Sequence, residues 1–331
     1  MHKNLEGLKH KKGKDDLNRE IHWLVLKDKE TNGVYVSPEF EATPFEEIIG
    51  SWGALTTTTN SVELMVRLYV DGTWSTYFSY QPWSFGNENK SIDKKDNIAS
   101  MSQDVITVLN NKLASKFQFK VILRKEDLDI SPKLAFVAFT FLLPNYRYKP
   151  NIDKLDKYVK YDVPKLNQQA VPEIGNSICS PTSCAMLLMF QGHDFSIHPY
   201  PHEITAKLFK DYGANIYGNW VFNTVGMSSY GEAAHVARMY SIEELIAHLY
   251  HVGPLAASVK GDLGIYQTKG HLLVVTGYEI DDEGQITVFI NDPNINDRFG
   301  EDKKGNPLFV SYQLPVETFL NVWVGIVYIV W

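Results

Sequence analysis

Apolar and polar residues alternate with a period of two through much of the first half of the chain, between residues 22 and 144. In residues 62–70, Val and Leu occupy every second position and therefore fall on one face of an extended strand. Asp71-Gly72 follows at once, and this dipeptide is typical of a tight hairpin because it accepts positive φ angles. Several such short strands, with few helical patterns between them, predict an antiparallel all-β sandwich.

The pattern changes in the second half of the chain. Residues 144–162 are polar, contain two prolines and show no period, which is typical of a linker. Beyond them a helix begins near Pro181, a capping box at residues 241–244 starts another, and strand-like runs follow Gly253-Pro254. We therefore expect an α+β domain with an antiparallel sheet. The predicted division is a tail at 1–21, the sandwich at 22–144, a linker at 145–162 and the second domain at 163–331.

The charge of the chain disfavours two classes of partner. With 39 acidic and 32 basic residues, the formal net charge of -7 repels nucleic acid and anionic membranes. The basic run at residues 10–14 is interpreted as part of a solvated tail. The sequence shows no signal peptide and no apolar run of about 18 residues, which predicts a cytoplasmic protein, or a secreted one if this chain has been trimmed. Its two cysteines provide no disulfide framework.

Cys179 lies where a loop turns into a helix. Proline is tolerated in a first helical turn, so Pro181 places the helix start within about one residue. At a helix N-terminus the unpaired amides and the macrodipole favour the thiolate, the nucleophilic form of cysteine. The alternative is a small buried hydrophobic residue, the usual role of an isolated cysteine. Cys184, further along the same helix amid apolar residues, is predicted to pack in the core and to form no disulfide with Cys179.

His271 and Asp292 lie at the two ends of a predicted hairpin, whose strands cover residues 270–280 and 285–291. Folding this hairpin brings residue 271 opposite residue 292, give or take one position. The carboxylate can then accept the imidazole N–H, fix the tautomer and leave the other ring nitrogen facing a thiol. The alternative is purely structural, since histidines often begin strands and Asn-Asp-Pro is a common turn.

Gln168 is a third candidate, because a side-chain amide near a nucleophile can stabilise the oxyanion of a tetrahedral intermediate together with a backbone N–H. The alternative for Gln168 is an ordinary surface glutamine.

The run that begins at Asp292 imitates the start of a calcium loop. However, Asp297 occupies the position that needs glycine, and Lys303 occupies the position that needs a bidentate Glu. We therefore expect no metal and no cofactor.

Together these segments resemble the papain-like cysteine peptidases that are related to the bacteriocin (double-glycine leader) processing peptidases, a group similar to cysteine peptidase family 39. They resemble a bacterial form of these enzymes that has an N-terminal β-rich domain. In that family the nucleophile lies in a Cys-Gly-Pro-Thr-Ser-like helix start, preceded by Val-Pro-x-x-x-Gln, and residues 179–183 and 163–168 are similar to both. The Gly-His-aliphatic strand ending in Gly-Tyr and the later Asn-Asp-Pro resemble residues 270–278 and 291–293. The likeness extends over nearly the whole chain from Trp52 onward.

The resemblance implies a papain-like fold and the activity of a cysteine peptidase. Such an enzyme hydrolyses a peptide or amide bond of a peptide or protein substrate through a thioester acyl-enzyme. The resemblance also implies Cys179 as nucleophile and His271 as general base, with Asp292 orienting that base and Gln168 as oxyanion donor. One residue departs from the family pattern: Ser180 stands where the family usually has glycine, and its side chain could crowd the backbone N–H of the oxyanion hole or bond to it.

Two other functions remain open on the sequence. An acyltransferase would use the same triad and deliver the acyl group to an amine, and a non-catalytic binding module would keep only the fold.

The predicted sandwich contains no cysteine and one histidine, His22, so we expect it to do no chemistry. It either binds a ligand, a partner or the substrate, or merely covers the second domain. Five of its aromatic residues either line a sugar-binding face or fill the core: Trp74, Tyr77, Phe78, Tyr80 and Trp83.

Overall fold

A computed structural model of the chain describes residues 5–14, 20–126, 129–295 and 310–331. The described residues divide into two compact units. The first comprises the described parts of Met1–Asn145 together with Lys210–Val236, and the second comprises the described parts of Tyr146–Phe209 and Ala237–Trp331. The segment Lys210–Val236 thus belongs to the first unit, although the sequence pattern had assigned it to the domain at 163–331.

The described residues up to Asn145 form strands and no helix. In chain order the strands are β1 (Leu5–Glu6), β2 (Leu8–Lys14), β3 (Glu20–Leu26), β4 (Asn32–Val36), β5 (Phe40–Phe45), β6 (Glu47–Leu55), β7 (Asn60–Val70), β8 (Thr73–Trp74), β9 (Phe78–Ser79), β10 (Lys94–Lys95), β11 (Ala99–Ser102), β12 (Val105–Val108), β13 (Ala114–Lys125) and β14 (Lys133–Leu142). The alternation in residues 62–70 falls within β7, and the predicted hairpin turn at Asp71-Gly72 connects it to β8.

These strands form two antiparallel sheets. One has the order β1-β4-β13-β7-β8, with β5 beside β13 and β9 beside β7, and the other has the order β10-β11-β12-β6-β14-β3-β2. Aromatic rings join the sheets: Phe117 and Phe119 of β13 contact Phe139 of β14, with ring centroids 5.0 and 5.2 Å apart. The alternating apolar residues of the sequence therefore face each other across a common core.

The five aromatic residues considered above divide into two groups. Three of them are buried: Phe78, Tyr80 and Trp83. The other two, Trp74 and Tyr77, are partly exposed and flank the guanidinium of Arg67, which lies 4.4 and 5.2 Å from their ring centroids. A cation already occupies this aromatic face, so the contact is a cation–π stack within the protein.

The basic run near the N-terminus is a strand and not the tail that the sequence had led us to expect. β2 pairs with β3 along its length, from Leu8 opposite Leu26 to Lys14 opposite Glu20. Leu8 is buried, whereas the lysines point to the surface, where Lys9 contacts Asp28 at 2.5 Å. The composition of the run predicts that its charges are solvated, but it carries no signal for the backbone pairing.

The remaining elements mix helices and strands, as the α+β prediction required. They are β15 (Tyr158–Lys160), α1 (Cys179–Phe190), α2 (Pro201–Phe209), α3 (Trp220–Ser228), β16 (Ala234–Arg238), α4 (Ile242–His251), β17 (Leu255–Asp262), β18 (Gln267–Ile280), β19 (Ile286–Asn291), β20 (Ser311–Pro315), α5 (Val316–Val322) and β21 (Trp323–Val330). Short 3-10 turns cover Gln168–Ala170 and Gly175–Ser177. The sheet order is β16-β21-β17-β18-β19-β20, with β15 beside β18.

The predicted linker contributes a strand to this sheet. β15 pairs antiparallel with β18, so that Lys160 lies opposite Gly277. A Cβ at residue 277 would lie 2.0 Å from the carbonyl oxygen of Val159, which explains why glycine is needed there. The segment at 145–162 is therefore partly structured.

Helix α3 packs within the first unit. The Asp104 carboxylate accepts hydrogen bonds from the backbone N–H groups of Trp220 and Val221, at 2.5 and 3.3 Å, and so caps the helix N-terminus. The ring of Phe222 lies 5.2 Å from that of Trp83. No helix among the described residues is long and apolar enough to cross a membrane.

Candidate active site

Cys179 is the first residue of α1, as predicted from Pro181, and it is partly exposed. Hydroxyl groups on two helices fix the start of α1. Ser183 of α1 donates to the carbonyl oxygen of Leu272 on β18 at 3.2 Å, and Thr205 of α2 donates to that of Pro181 at 2.8 Å. The thiol is therefore held beside the part of β18 that carries His271.

His271 is buried on β18 and lies between Cys179 and Asp292. Its Nε2 lies 2.7 Å from Oδ1 of Asp292, and its ring lies close enough to the Cys179 thiol for each group to shift the pKa of the other. Because Asp292 engages Nε2, the remaining ring nitrogen, Nδ1, is the one available to exchange a proton with the thiol. The structure thus brings these three residues into one chain of contacts.

The route by which Asp292 reaches His271 differs from the simple hairpin expectation. β18 and β19 do pair, but a register shift between Val275 and Gly277 leads to a pairing of Val274 with Asn291. Asp292 follows the last residue of β19 and is thus two positions out of register with His271. Its side chain crosses this offset, because the chain turns at Asp292 and the N–H of Asn294 donates to Oδ1 at 2.9 Å.

The Asp292 carboxylate is fully buried and divides its two oxygens between different partners. Oδ1 contacts His271 and the backbone N–H of Asn294, whereas Oδ2 accepts hydrogen bonds from the hydroxyl groups of Tyr266 at 2.8 Å and Tyr312 at 2.9 Å. Sequence reasoning missed both tyrosines. Tyr266 precedes β18 and Tyr312 lies on β20, so no local spacing connects either residue with Asp292.

The three residues shift one another's pKa in the directions that an ion pair requires. Burial raises the pKa of the Cys179 thiol, but the neighbouring His271 and backbone N–H groups outweigh it and hold that pKa below 9.0. Burial lowers the pKa of His271, but Asp292 and Cys179 more than compensate and raise it above 6.5. Both shifts favour the charged forms, a thiolate and an imidazolium, over the neutral pair. Burial raises the pKa of the Cys184 thiol well above 9.0, which keeps that cysteine protonated.

Gln168 is buried beside the turn that carries Asp292, because its backbone N–H donates to the carbonyl oxygen of Pro293 at 2.8 Å. Its Nε2 donates to the carbonyl oxygen of Gly175 at 2.7 Å, and its Oε1 has no hydrogen-bond partner among the described residues. An amide nitrogen carries two hydrogens, so one N–H of Gln168 remains for another acceptor. The alternative that Gln168 is an ordinary surface glutamine is therefore wrong.

The hydroxyl of Ser180 contacts a tyrosine, whereas the sequence suggests a contact with the backbone N–H of the oxyanion hole. Ser180 is buried, and its Oγ lies 2.9 Å from the hydroxyl oxygen of Tyr328 on β21. The backbone N–H of Ser180 helps to lower the pKa of the Cys179 thiol. Serine at this position therefore fixes the first turn of α1 to the sheet.

The segment that resembled a calcium loop is only partly described. Both carboxylate oxygens of Asp292 are engaged by protein donors, and residues 297 and 303 lie outside the described ranges. In the described part of the chain, no three His, Cys, Asp or Glu side chains are grouped in a way that could hold a metal ion.

Comparison with known families decides the class of protein. Residues 160–328 match the peptidase C39-like family, and residues 17–141 match the peptidase C39 N-terminal domain. This chain belongs to the peptidase C39-like family. The first matched range contains Cys179, His271 and Asp292, and the second covers most of the β-rich unit. The family resemblance drawn from the sequence motifs is confirmed, and membership supports a cysteine peptidase that acts on peptides.

Two solved structures are similar to this C39-like chain. A protein from Bacillus anthracis described as a C39-like peptidase is 21% identical, over 53% of this chain and 98% of its own, with a TM-score of 0.35. A double glycine motif protease from an AMS/PCAT transporter, solved with the leader peptide, is 19% identical, over 53% of this chain and 97% of its own, with a TM-score of 0.33. No curated protein matches the chain. The family assignment rests on the matched sequence ranges.

Proposed function

We propose that this protein is a papain-like cysteine peptidase that cleaves a peptide or amide bond with Cys179 as nucleophile, His271 as general base and acid, and Asp292 as the residue that orients the base. The observation that carries the proposal is the placement of His271 between the Cys179 thiol and the buried carboxylate of Asp292, with its Nε2 2.7 Å from Oδ1 of that carboxylate. In a chain of a peptidase family, this order of groups is the one that nucleophilic catalysis by a thiol requires.

The reaction proceeds in two steps. The Cys179 thiolate attacks the carbonyl carbon of the scissile bond, while a backbone N–H at the start of α1 and the free N–H of Gln168 stabilise the oxyanion. His271 then donates its proton to the leaving nitrogen, the C–N bond breaks and a thioester remains. His271 next takes a proton from water, whose oxygen attacks the thioester. This step releases the carboxylic acid product and regenerates the thiolate.

The surroundings of Ser180 support turnover over a purely binding role. Serine at residue 180, where the family usually has glycine, is the one sequence feature that hints at a non-catalytic module, because its side chain could crowd the oxyanion hole. The Ser180 hydroxyl lies 2.9 Å from that of Tyr328, so its side chain is directed toward β21. An acyltransferase would share every one of these groups and differ only in the acceptor of the acyl group.

Peptide cleavage by the full chain tests the proposal directly. A mixture of peptides of known sequence is incubated with wild type, Cys179→Ala and Cys184→Ala, and new C-termini are identified by mass spectrometry. We expect wild type and Cys184→Ala to cleave the same bonds, and the rate to fall by roughly 10³-fold or more in Cys179→Ala, because the nucleophile is lost. Undiminished cleavage by Cys179→Ala would exclude the proposed mechanism. Products linked to an added amine would identify acyl transfer.

A further inference from the structure

Tyr266 lies between β17 and β18 and has no role in the reaction described above. Its hydroxyl donates to Oδ2 of Asp292 at 2.8 Å, and its ring lies edge-on to His271, with centroids 5.9 Å apart and an interplanar angle of 81°. We propose that Tyr266 is a positioning residue that orients Asp292 toward the catalytic base and shields their hydrogen bond from water. The inference rests on the proposed function, because it concerns the base that activates Cys179.

The first part of the argument is the geometry of the carboxylate. Asp292 can hold His271 in one orientation only if its side chain does not rotate about the Cβ–Cγ bond. Tyr266 and Tyr312 both donate to Oδ2, and the N–H of Asn294 donates to Oδ1, so that each oxygen has its own donors. This division keeps Oδ1 directed at Nε2 of His271 and fixes the imidazole with Nδ1 toward Cys179.

The second part is the exposure of the groups. His271 is 6% exposed and Asp292 is fully buried, whereas Tyr266 is partly exposed. Tyr312 is itself buried on β20, where it pairs with Ile290 of β19. Of the two tyrosines, Tyr266 is therefore the one that reaches solvent and also contacts both His271 and Asp292. Without its ring, water would compete for the hydrogen bond and weaken the charge interaction between His271 and Asp292.

The pH dependence of the thiol follows from the groups that face His271. They are Cys179 from α1, Asp292 after β19 and Tyr266 before β18, with Tyr312 behind Asp292 and the protonated Cys184 further along α1. In the wild type, Cys179 becomes a thiolate at a pH below the ordinary pKa of a thiol, and His271 loses its proton only at a pH above the ordinary pKa of imidazole. The ion pair exists between these two limits. Weaker coupling between His271 and Asp292 lowers the upper limit, and an imidazole that is no longer held toward Cys179 raises the lower limit, so the pH range over which the ion pair exists becomes narrower.

The experiment measures the rate of Cys179 alkylation by iodoacetamide against pH in the full chain, for wild type, His271→Ala, Tyr266→Ala, Tyr266→Phe and Tyr161→Phe. Tyr161 is the matched control, because its hydroxyl donates to a backbone carbonyl oxygen, that of Leu249. We expect the rate at about pH 6 to fall roughly tenfold in Tyr266→Ala and about threefold in Tyr266→Phe, the order of effect of a hydrogen bond to a charged group. Both inflections of the profile should move toward each other, and Tyr161→Phe should match wild type.

Two comparisons separate the possible failures. Identical profiles for wild type and His271→Ala would show that no ion pair exists and would overturn the proposed function itself. If those two differ but a folded Tyr266 variant has the wild-type profile, the function stands and the positioning role of Tyr266 is excluded. Circular dichroism establishes which variants fold, and Tyr266→Phe, which keeps the ring, carries the test if Tyr266→Ala does not.

Discussion

Asp292 is a carboxylate with no exposed surface, so its charge depends wholly on protein neighbours. Burial raises its pKa, but His271, the Asn294 N–H and Tyr266 together hold that pKa below 3.8. The buried pair stabilises the fold only while both groups are charged. For Asp292 that contribution is present above pH 3.8 and declines as the pH falls through the lower folded value. For His271 it is present below pH 6.5 and is lost as the pH rises through the higher folded value.

Replacement of Asp292 therefore has a pH-dependent effect on stability. We expect Asp292→Ala to lower the free energy of unfolding by about 3–5 kcal/mol near pH 5–6, because it leaves His271 and the hydroxyl of Tyr312 buried without their partner. The difference should shrink toward pH 3 and again at alkaline pH. Urea unfolding followed by circular dichroism measures it. Asp282→Ala is the control, since that side chain is fully exposed, and an equal loss in both variants would contradict the account of Asp292.

Part of the site could be predicted at the level of single residues. Pro181 in a first helical turn placed Cys179 at the start of α1, and the hairpin turn brought Asp292 near His271. The two-residue offset in register could not be predicted, because it depends on which residues pair at the turn, Ile280 with Ile286, and on the register shift between Val275 and Gly277. Tyr266 and Tyr312 reach Asp292 from separate strands, and such contacts follow only from the assembled sheet.

At the scale of elements, the segment that precedes α1 is fastened to the turn after β19. Asn291 donates from Nδ2 to the carbonyl oxygen of Val163 at 3.0 Å, and Gln169 donates from Nε2 to Oδ1 of Asn294 at 2.8 Å. Gly175 closes the segment: a Cβ there would lie 2.7 Å from the carbonyl oxygen of Gln168. The proposed oxyanion donor and the base-orienting turn are thus parts of one hydrogen-bonded assembly.

Gly175→Ala should separate oxyanion stabilisation from thiol activation. The added methyl group forces Gln168 away from its position, so we expect kcat for peptide cleavage to fall by roughly 10²-fold, the usual cost of one oxyanion donor. Alkylation of Cys179 develops no oxyanion, so its rate should fall much less than kcat, even though Gln168 is tied to the turn at Pro293. Gly218→Ala, where a Cβ meets nothing within 4 Å, is the control. An unchanged kcat in Gly175→Ala would contradict the role of Gln168.

At the scale of the molecule, the chain leaves the second unit after Phe209 and returns at Ala237. The intervening segment is bound to the first unit through Asp211, a buried carboxylate that accepts a hydrogen bond from the N–H of Ser91 at 3.0 Å. Periodicity in the sequence of α3 does not tell which unit buries the helix. The division into contiguous domains at 22–144 and 163–331 could not anticipate this exchange.

A fragment of residues 146–331 should therefore fail to form a stable fold. It would carry α3 without Asp104, which caps the helix, and without Trp83, against which Phe222 packs. We expect poor solubility, rapid proteolysis and no cooperative thermal transition, measured beside the full chain. A fragment that unfolds cooperatively and whose Cys179 still reacts would contradict this expectation. It would favour the simpler hypothesis that the β-rich unit only binds substrate or a partner.

The most direct test of the proposed peptidase is the reactivity of its two cysteines. Limiting iodoacetamide near neutral pH, followed by peptide mapping, reports which thiol is activated in the folded protein. The triad predicts that Cys179 is alkylated first, that Cys184 is alkylated only after denaturation, and that His271→Ala removes the preference by slowing Cys179 at least tenfold, or roughly one pKa unit of thiolate stabilisation. Equal alkylation of both cysteines in the folded protein, or a Cys179 rate that does not depend on His271, would contradict the mechanism.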